Sequence, residues 1–425
     1  MKKGFYNIMS AQFFSSLADS ALFVPAIELM KSGGSAEWQR AALVPMFALF
    51  YVVLAPIVGA LADALPKGRV MLYSNGVKVL GCLLMLFAGH PLISYAIVGL
   101  GAAAYSPAKY GILTELLPTS QLVKANGWCE GLTIMSIILG LLLGGQLVGP
   151  KFSPVLLGVH VPWFDLGIDT PARAAIACIA VLYVVAALFN LRIRRTGVEM
   201  AAWPGHLPDL LRDFSQCNAR LWDDKLGQIS LATTTLFWGV SKNLQYVVLA
   251  WAGVALGYST TSASALVGVV TVGTAAGAVV ASMSMRLDRA VHLIVLCAFM
   301  GLLVTAMNAI HGATTAVPLL IVLGALGGYL MVPMNALLQH RGQNLMGSGR
   351  SIAVQNFNEQ AAILGLGALY TGMTRLGLSI YGSIAIFGLL TAAVSFLVMY
   401  WHHRNLRDYP EEIRNLLEIA RSDNH

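Results

Sequence analysis

The stretch GALADALPKGRV, residues 59–70, decides the fold, because it places a short polar turn between two long apolar segments. Residues 40–63 on one side and residues 69–89 on the other are largely apolar. Each run has about 20 residues, the length that an α-helix needs to cross the hydrocarbon core of a bilayer. The stretch therefore predicts a tight loop between two membrane-spanning helices.

The composition of the whole chain extends this interpretation. Of its 425 residues, 57% are hydrophobic and 11% are charged, whereas soluble domains carry about 25% charged residues. The N-terminal segment lacks a small-residue cleavage site and continues as a long apolar run, so we expect it to be retained as a helix. The five cysteines are scattered, which predicts no disulfide framework, no metal site and no cofactor.

Twelve apolar segments predict an all-α membrane protein with twelve transmembrane helices. The predicted spans are 8–30, 40–63, 69–89, 91–113, 123–149, 171–192, 226–256, 260–285, 290–311, 314–338, 350–375 and 379–402. A polar segment between the sixth and seventh spans contains the amphipathic sequence LPDLLRDF. We thus predict an N-terminal six-helix bundle at 1–195, a cytoplasmic linker with a short amphipathic helix at 196–225, a second bundle at 226–403 and a cytoplasmic tail at 404–425.

The basic residues orient the chain. Most of the 27 lysine and arginine residues fall on the side of the N-terminus, and the predicted outer segments hold only Lys31, Arg40, Lys151, Arg173 and Arg375. Because cytoplasmic loops are enriched in lysine and arginine, we expect both termini in the cytoplasm. The net charge of +7 then reflects basic loops, and we predict no nucleic-acid partner.

The two halves of the chain share a local pattern. KANGWCEG in span 5 places Asn126 four residues before Glu130, and VQNFNEQA in span 11 places Gln355 four residues before Glu359. Two pseudo-symmetric six-helix bundles related by an axis along the membrane normal are the major facilitator plan, in which the substrate binds at the interface. A twelve-span protein with chance similarities between its halves is the alternative.

Several polar side chains fall inside the predicted spans. An ionisable residue within a bilayer is costly, so each is a hypothesis for a functional site, with a structural ion pair or helix contact as the alternative. Lys78, Glu130 and Glu359 lie at similar distances from the cytoplasmic ends of their spans and predict one polar layer. The predicted cavity residues are Asp19, Asn75, Lys78, Asn126, Glu130, Lys242, Gln245, Gln355 and Glu359.

SPAKYGILTEL, residues 106–116, closes the fourth span with an unusual polar cluster. Pro107 and Gly111 are expected to end or bend the helix. We predict that the polar residues beside them close an inner gate by bonding between the bundles, with loop anchoring as the alternative. The predicted gate residues are Gly59, Asp63, Lys67, Arg69, Lys109, Tyr110, Glu115, Gln339 and Arg341.

The opening stretch resembles a known signature. Gly59, Asp63, Lys67, Gly68 and Arg69 are similar to the G-x-x-x-D-x-x-G-R/K motif of the major facilitator superfamily. GAAAYSPAKYGILTEL, LVKANGWCEG, VPMNALLQHRG and SIAVQNFNEQ more narrowly resemble the bacterial lysophospholipid transporter family. This narrower resemblance spreads over most of both halves.

The resemblance implies a function. Members of that family move lysophospholipids, chiefly lysophosphatidylethanolamine, from the outer to the inner leaflet of the bacterial inner membrane. A separate cytoplasmic acyltransferase and acyl-carrier-protein synthetase then reacylates them. The family carries an arginine in span 7 near the position of Gln245, whereas this chain has Lys242 three residues earlier, and Ser20 replaces the asparagine that follows Asp19 in the family.

Two other functions are the alternatives. A proton-coupled exporter of drugs or small solutes would share the same fold, and GLTIMSIILGLLLGG in span 5 approaches the glycine pattern of antiporters. An intramembrane enzyme is disfavoured, because neither H-E-x-x-H nor G-x-S-x-G occurs in the sequence.

Overall fold

The computed structural model describes residues 3–87, 90–116, 119–158, 168–193, 206–285, 287–346 and 348–422. Every regular element in these ranges is helical, and none of these residues lies in a β-strand. The prediction of an all-α membrane protein is confirmed. The helices form two compact units, Met1–Leu207 with Tyr258–Gly268, and Pro208–Gly257 with Val269–His425. The predicted bundle boundaries stay a prediction.

The first unit is built from nine helices within the described ranges, together with the first turns of one later helix. A short helix, α2, follows the first span, and another, α8, follows the fifth. The nine are α1 (Lys3–Ser32), α2 (Glu37–Ala41), α3 (Leu43–Val53), α4 (Ala55–Ala64), α5 (Lys67–Phe87), α6 (Pro91–Leu116), α7 (Thr119–Val148), α8 (Ser153–Leu157) and α9 (Pro171–Leu191). In this unit α1 packs on α7 and α9, and α5 packs on α6 and α9.

The second unit contains the remaining helices. They are α10 (Leu207–Asp223), α11 (Gly227–Ala255), α12 (Thr260–Ser284), α13 (Ile294–Ala306), α14 (Ala313–Met346), α15 (Ser348–Arg375), α16 (Ile380–Asp408) and α17 (Pro410–Ser422). Short 3₁₀ segments, Leu287–Leu293 and Met307–Ala309, flank α13. In this unit α11 packs on α14, α15 and α16, and α13 packs on α16.

Nine helical stretches among the described residues are long and apolar enough to cross a membrane. They belong to α1, α5, α6, α7, α9, α12, α13 with its flanking 3₁₀ turns, α14 and α16. The other three predicted spans coincide with α2–α4, α11 and α15. Both α11 and α15 are long helices whose polar residues lower their hydropathy, and they carry four of the predicted cavity residues: Lys242, Gln245, Gln355 and Glu359. The count of twelve stays a prediction.

The second predicted span is not one continuous helix. It divides at Leu54, whose φ of −102° and ψ of 3° separate α3 from α4. Pro56 follows in the first turn of α4, where a missing N–H is tolerated because no intrahelical partner would be available there. The break shortens each segment below the length of a membrane span.

The fourth span continues beyond the predicted end. Pro107 lies inside α6, which runs on to Leu116, so the expectation that Pro107 or Gly111 ends this helix is wrong. Proline is tolerated within transmembrane helices because neighbouring groups satisfy the carbonyl that it leaves free. The polar cluster at residues 106–116 is therefore part of a helix and not a loop.

Small residues let the helices approach closely. A Cβ added to Gly140 of α7 would lie 2.6 Å from the backbone oxygen of Leu17 in α1. In the second unit, Gly273 and Gly277 of α12 press against the backbone of α14 in the same way. Gly131 differs, because nothing lies within 4 Å of the Cβ that it lacks.

Candidate functional site

The central feature of the first unit is a buried ion pair between Asp19 of α1 and Lys78 of α5. The Lys78 Nζ lies 2.8 Å from Asp19 Oδ2. The Lys78 side chain is 1% exposed, whereas that of Asp19 is 22% exposed. A buried lysine is tolerated when it is paired and hydrogen-bonded. Lys78 is thus enclosed by protein, and the Asp19 carboxylate remains partly open.

Hydrogen bonds fix both members of this pair. Lys78 Nζ donates to Ser15 Oγ at 2.9 Å, and Ser15 Oγ donates to Asn75 Oδ1 at 2.8 Å. Tyr183 of α9 donates its hydroxyl to Asp19 Oδ1 at 2.8 Å. The three helices α1, α5 and α9 are therefore linked through one polar network.

Two aromatic rings complete the surroundings of the ammonium group. The Lys78 Nζ lies 5.0 Å from the ring centroid of Tyr105 and 5.4 Å from that of Tyr183. Both distances are within the range of a cation–π interaction, which strengthens when the cation is removed from water. The rings therefore add electrostatic contacts to the buried amine of Lys78.

Helical spacing brings these residues together. Ser15 and Asp19 are four residues apart on α1, and Asn75 and Lys78 are three apart on α5, so each pair shares one helix face. Gly101 of α6 makes room for the lysine, because a Cβ there would lie 2.7 Å from Lys78 Cγ. Asn75 and Lys78, both named among the predicted cavity residues, therefore lie on the same face of α5.

Some buried polar atoms near this network have no hydrogen-bond partner within the described part of the chain. They are Asn75 Nδ2, Gln12 Oε1 and the Tyr105 hydroxyl. Gln12 uses its other amide atom to donate to Ser16 Oγ at 3.2 Å and Thr133 Oγ1 at 3.0 Å. Because unsatisfied buried groups are costly, such atoms are suited to bind water or a polar ligand.

A second polar cluster lies in the second unit. Gln355 of α15 donates through Nε2 to Glu359 Oε1 at 2.7 Å and to Asn335 Oδ1 of α14 at 2.9 Å. Gln355 and Glu359 are both buried. The predicted amide and glutamate pair of span 11 is therefore in contact, one helical turn apart.

The residue that precedes Glu359 on α15 anchors the linker helix. Asn358 donates to Asn218 Oδ1 at 2.8 Å and accepts from Trp222 Nε1 at 3.1 Å, and both partners lie on α10. Cys217 of α10 is buried in an apolar cluster with Leu221 and residues of α11, α14 and α15. The amphipathic linker helix is thus docked on the second unit by its apolar face, and it is longer than the short helix predicted.

Arg341 forms a pair within its own unit. Its guanidinium binds both carboxylate oxygens of Asp224, with Nε 3.1 Å from Oδ1, and both side chains are buried. The same carboxylate accepts the backbone N–H of Gly227 at 2.7 Å, at the start of α11. Arg341 was predicted to bond between bundles; the partner that the structure gives it is Asp224, which holds the ends of α11 and α14 together.

Three neighbouring polar residues of α11 point to different surroundings. The Lys242 Nζ lies 6.0 Å from the ring centroid of Trp238. Asn243 is buried and donates to the backbone oxygens of Gly239 and Ile363, which joins α11 to α15. Gln245 is half-buried. Asn243 therefore makes a structural contact between α11 and α15.

The predicted gate residues are found in different environments. The Lys67 stem lies against Gly111 of α6, with Cδ 3.0 Å from the Cβ position of that glycine. Lys109 is buried, whereas Arg69 and Gln339 are exposed. The structure brings Lys67 onto the polar stretch of α6, and the gating role of these residues stays a prediction.

Six predicted residues have side chains outside the described part of the structure. They are Gly59, Asp63, Tyr110, Glu115, Asn126 and Glu130. Sequence reasoning in turn missed Ser15, Tyr183, Asn335, Asn358 and Asp224. Ser15 could have been found from its spacing to Asp19 on α1, but a tyrosine such as Tyr183 carries no comparable signal.

The fold and its buried charges define a multi-pass membrane transporter. The profile of the Major Facilitator Superfamily matches residues 8–366, and the chain belongs to this superfamily. The chain is also 36% identical over 378 residues to the lysophospholipid transporter LplT of Yersinia pestis (strain Pestoides F), a match that covers 89% of this chain and 88% of that protein. LplT of Yersinia pseudotuberculosis serotype O:3 (strain YPIII) matches to the same extent.

Solved structures show the same fold at low sequence identity. A bacterial homologue of the human lysosomal transporter Spinster, in an inward-facing and occupied conformation, superposes with a TM-score of 0.68 at 14% identity, covering 96% of this chain and 97% of its own. A POT family transporter in complex with a thioalcohol-conjugated peptide has a TM-score of 0.69 at 14% identity, and the match covers 95% of this chain and 96% of that transporter. These likenesses support the major facilitator fold.

Proposed function

We propose that this protein transports lysophospholipids, chiefly lysophosphatidylethanolamine, from the outer to the inner leaflet of a bacterial inner membrane. The observation that carries the proposal is the 36% identity to LplT of Yersinia, sustained over 89% of the chain. The same similarity favours this function over an exporter of drugs or small solutes. Both termini are proposed to lie in the cytoplasm, as the distribution of basic residues predicts.

The first-unit network suits the headgroup of such a lipid. The partly exposed Asp19 carboxylate is positioned to accept hydrogen bonds from an ammonium group. Asn75 Nδ2 and the Tyr105 hydroxyl are unsatisfied donors that could serve phosphate oxygens. Lys78 is enclosed, so its proposed role is to orient Asp19 and balance its charge without contacting the lipid.

The acyl chain requires a different environment from the headgroup. Burying each methylene away from water is worth about 0.8 kcal/mol, so the chain stays in hydrocarbon. A charged headgroup cannot cross that hydrocarbon without polar partners. We therefore propose alternating access with lateral lipid entry, in which the headgroup moves along polar groups while the acyl chain remains in contact with the bilayer.

The second-unit cluster is proposed to act in the same cycle. Glu359 is buried and held by Gln355, so its carboxylate can exchange a proton or an ion-pair partner with little movement of the backbone. We propose that Lys242 takes the place of the arginine that the lysophospholipid transporter family carries near the position of Gln245. Because lysine is a point charge without a bidentate fork, we propose a weaker phosphate contact at this position.

The product of this transport needs a second protein. We propose that a separate cytoplasmic acyltransferase and acyl-carrier-protein synthetase reacylates the lipid that arrives in the inner leaflet. In spheroplasts supplied with labelled lysophosphatidylethanolamine from outside, conversion to the diacyl lipid should require both this protein and that enzyme. Unchanged conversion in cells that lack this protein but retain the enzyme would contradict the proposal.

A further inference from the structure

A cavity of about 440 Å³ lies in the first unit, away from the Asp19 and Lys78 network. It is formed where the beginning of α5 meets the end of α9. Gly68 allows this approach, because a Cβ there would lie 3.1 Å from Ile193 Cγ2. The lining residues are Pro66, Lys67, Gly68, Arg69, Leu72, Tyr73, Ile112, Asn190, Leu191 and Ile193.

Asn190 is the first sign that this cavity holds a ligand. Asn190 lines the cavity and is 2% exposed. Neither Asn190 Nδ2 nor Asn190 Oδ1 has a hydrogen-bond partner among the described residues. A buried amide without partners costs free energy that a bound polar group would recover. Asn190 thus supplies both a donor and an acceptor to an occupant.

The charges around the cavity favour an anion. Lys67 and Arg69 line it, and none of the described residues that line it is a carboxylate. The first turn of α5 adds the partial positive charge of a helix N-terminus. The end of α9 has the opposite partial charge, but the carbonyls of Phe189 and Asn190 are already bonded by the backbone N–H groups that follow them. Two basic side chains and the start of α5 therefore contribute positive charge to the lining of the cavity.

The apolar part of the lining faces the surface of the unit. Tyr73 is 61% exposed and Leu191 is 63% exposed, and both lie near the ends of apolar helices. Tyrosine is enriched where the hydrocarbon meets the headgroup layer. Basic pockets between helices at this depth are typical of sites for anionic lipid headgroups.

We propose that this cavity binds the phosphate headgroup of an anionic phospholipid such as phosphatidylglycerol, from the leaflet on the side where the basic residues concentrate. Arg69 binds the phosphate, Asn190 donates to one of its oxygens, and the acyl chains run along Tyr73 and Leu191. The site is separate from the proposed substrate network and would be occupied by a resident lipid that is not transported.

Native mass spectrometry of the purified full-length protein in detergent tests this site. Phosphatidylglycerol should bind more tightly than phosphatidylcholine with the same acyl chains. Arg69→Gln and Asn190→Leu should each weaken phosphatidylglycerol binding about tenfold, because each removes one polar contact to the headgroup. Arg173→Gln, at the other end of α9, is the matched control and should bind like the wild type. Arg69 is exposed, so its substitution leaves no internal cavity.

Three results would overturn the proposal. Equal affinity for phosphatidylcholine would show that the site does not select an anion. Unchanged phosphatidylglycerol binding in Arg69→Gln, or in Asn190→Leu that has folded by circular dichroism, would show that the lipid binds elsewhere. Displacement of phosphatidylglycerol by millimolar glycerol 3-phosphate or inorganic phosphate would identify a site for a free phosphate compound. Transport is not measured, so the outcome is independent of the proposed function.

Discussion

Asp19 and Lys78 are charged residues within predicted membrane spans, where an unpaired ion is strongly unfavourable. The structure shows why both are tolerated there: they form an ion pair, with Lys78 Nζ 2.8 Å from Asp19 Oδ2. It also leaves the Asp19 carboxylate partly exposed, with unsatisfied donors nearby. A structural pair and a headgroup site therefore coexist, and substitutions can separate the two roles.

We predict that neutralising both members of the pair preserves folding but strongly lowers transport. Lys78→Met alone leaves Asp19 without its counter-ion and should cost about 3 kcal/mol of stability. The double variant Asp19→Asn with Lys78→Met should recover most of that loss, because neutral partners need no compensation. Transport should nevertheless stay about tenfold or more below wild type in the double variant, since the headgroup loses a charge-assisted contact.

Thermal unfolding in detergent and lysophospholipid uptake are the two measurements. Arg173→Gln lies outside this network at the beginning of α9 and is a control for general damage to the unit. Recovery of transport together with stability in the double variant would show that the pair only holds the helices together.

We predict that transport requires the negative charge of Glu359, and that a hydrogen bond at this position is not sufficient for it. Glu359→Gln keeps an oxygen that can accept from Gln355 Nε2, so the contact that is now 2.7 Å long should survive. The melting temperature should therefore change little, while transport falls about tenfold. Gln360→Glu, the neighbouring half-buried position, is the control for charge placement. Wild-type transport by Glu359→Gln would show that Glu359 only holds α15 in place.

At the scale of the helices, the packing of α5 on α6 determines where Lys78 lies. A Cβ on Gly101 would be 2.6 Å from the backbone oxygen of Ser74 and 2.7 Å from Lys78 Cγ. Gly101→Ala should thus force the helices apart and destabilise the protein by about 1–3 kcal/mol. Gly76→Ala, on the open face of α5 with nothing within 4 Å, should be neutral or stabilising by up to about 1 kcal/mol. Comparable melting temperatures of the two variants would contradict this view of the interface.

The linker helix α10 gives a second prediction at this scale. Asn358→Ala removes two hydrogen bonds to α10, so the helix should undock more often and expose Cys217. In a variant whose other four cysteines are replaced, maleimide should label Cys217 about tenfold faster. Asn344→Ala, an exposed position near the end of α14, is the matched control. Equal labelling rates would show that apolar packing alone holds α10.

The helices and the buried charges could be predicted from the sequence for identifiable physical reasons. Apolar runs of membrane length are a strong signal, and a charge inside such a run, such as Asp19 or Lys78, stands out against it. The break at Leu54 was missed because it depends on local backbone angles, although Pro56 was visible. Tyr183 was missed because nothing in the sequence connects α9 to Asp19. The partners of Arg341 and Asn358 depend on how α10 and the beginning of α11 dock, and a polar linker does not reveal that.

At the scale of the whole molecule, the chain belongs to the Major Facilitator Superfamily and is similar to LplT, and both findings indicate a membrane transporter. Each unit contains its own buried polar cluster, centred on Asp19 and Lys78 in the first and on Gln355 and Glu359 in the second. The proposed lipid substrate accounts for polar groups within helices that are otherwise apolar. The similarity to LplT favours a lysophospholipid over a small water-soluble substrate, and a measurement of lipid movement tests this choice.

The most direct test is lipid movement in proteoliposomes. Purified protein should carry labelled lysophosphatidylethanolamine between leaflets faster than protein-free vesicles, and should leave the diacyl lipid behind. The Asp19→Asn protein, reconstituted at the same density, should lose most of this activity, whereas Arg173→Gln should retain it. If the wild-type protein instead ignores lysophosphatidylethanolamine and moves small water-soluble solutes, the account is contradicted and the protein is an exporter of the same superfamily.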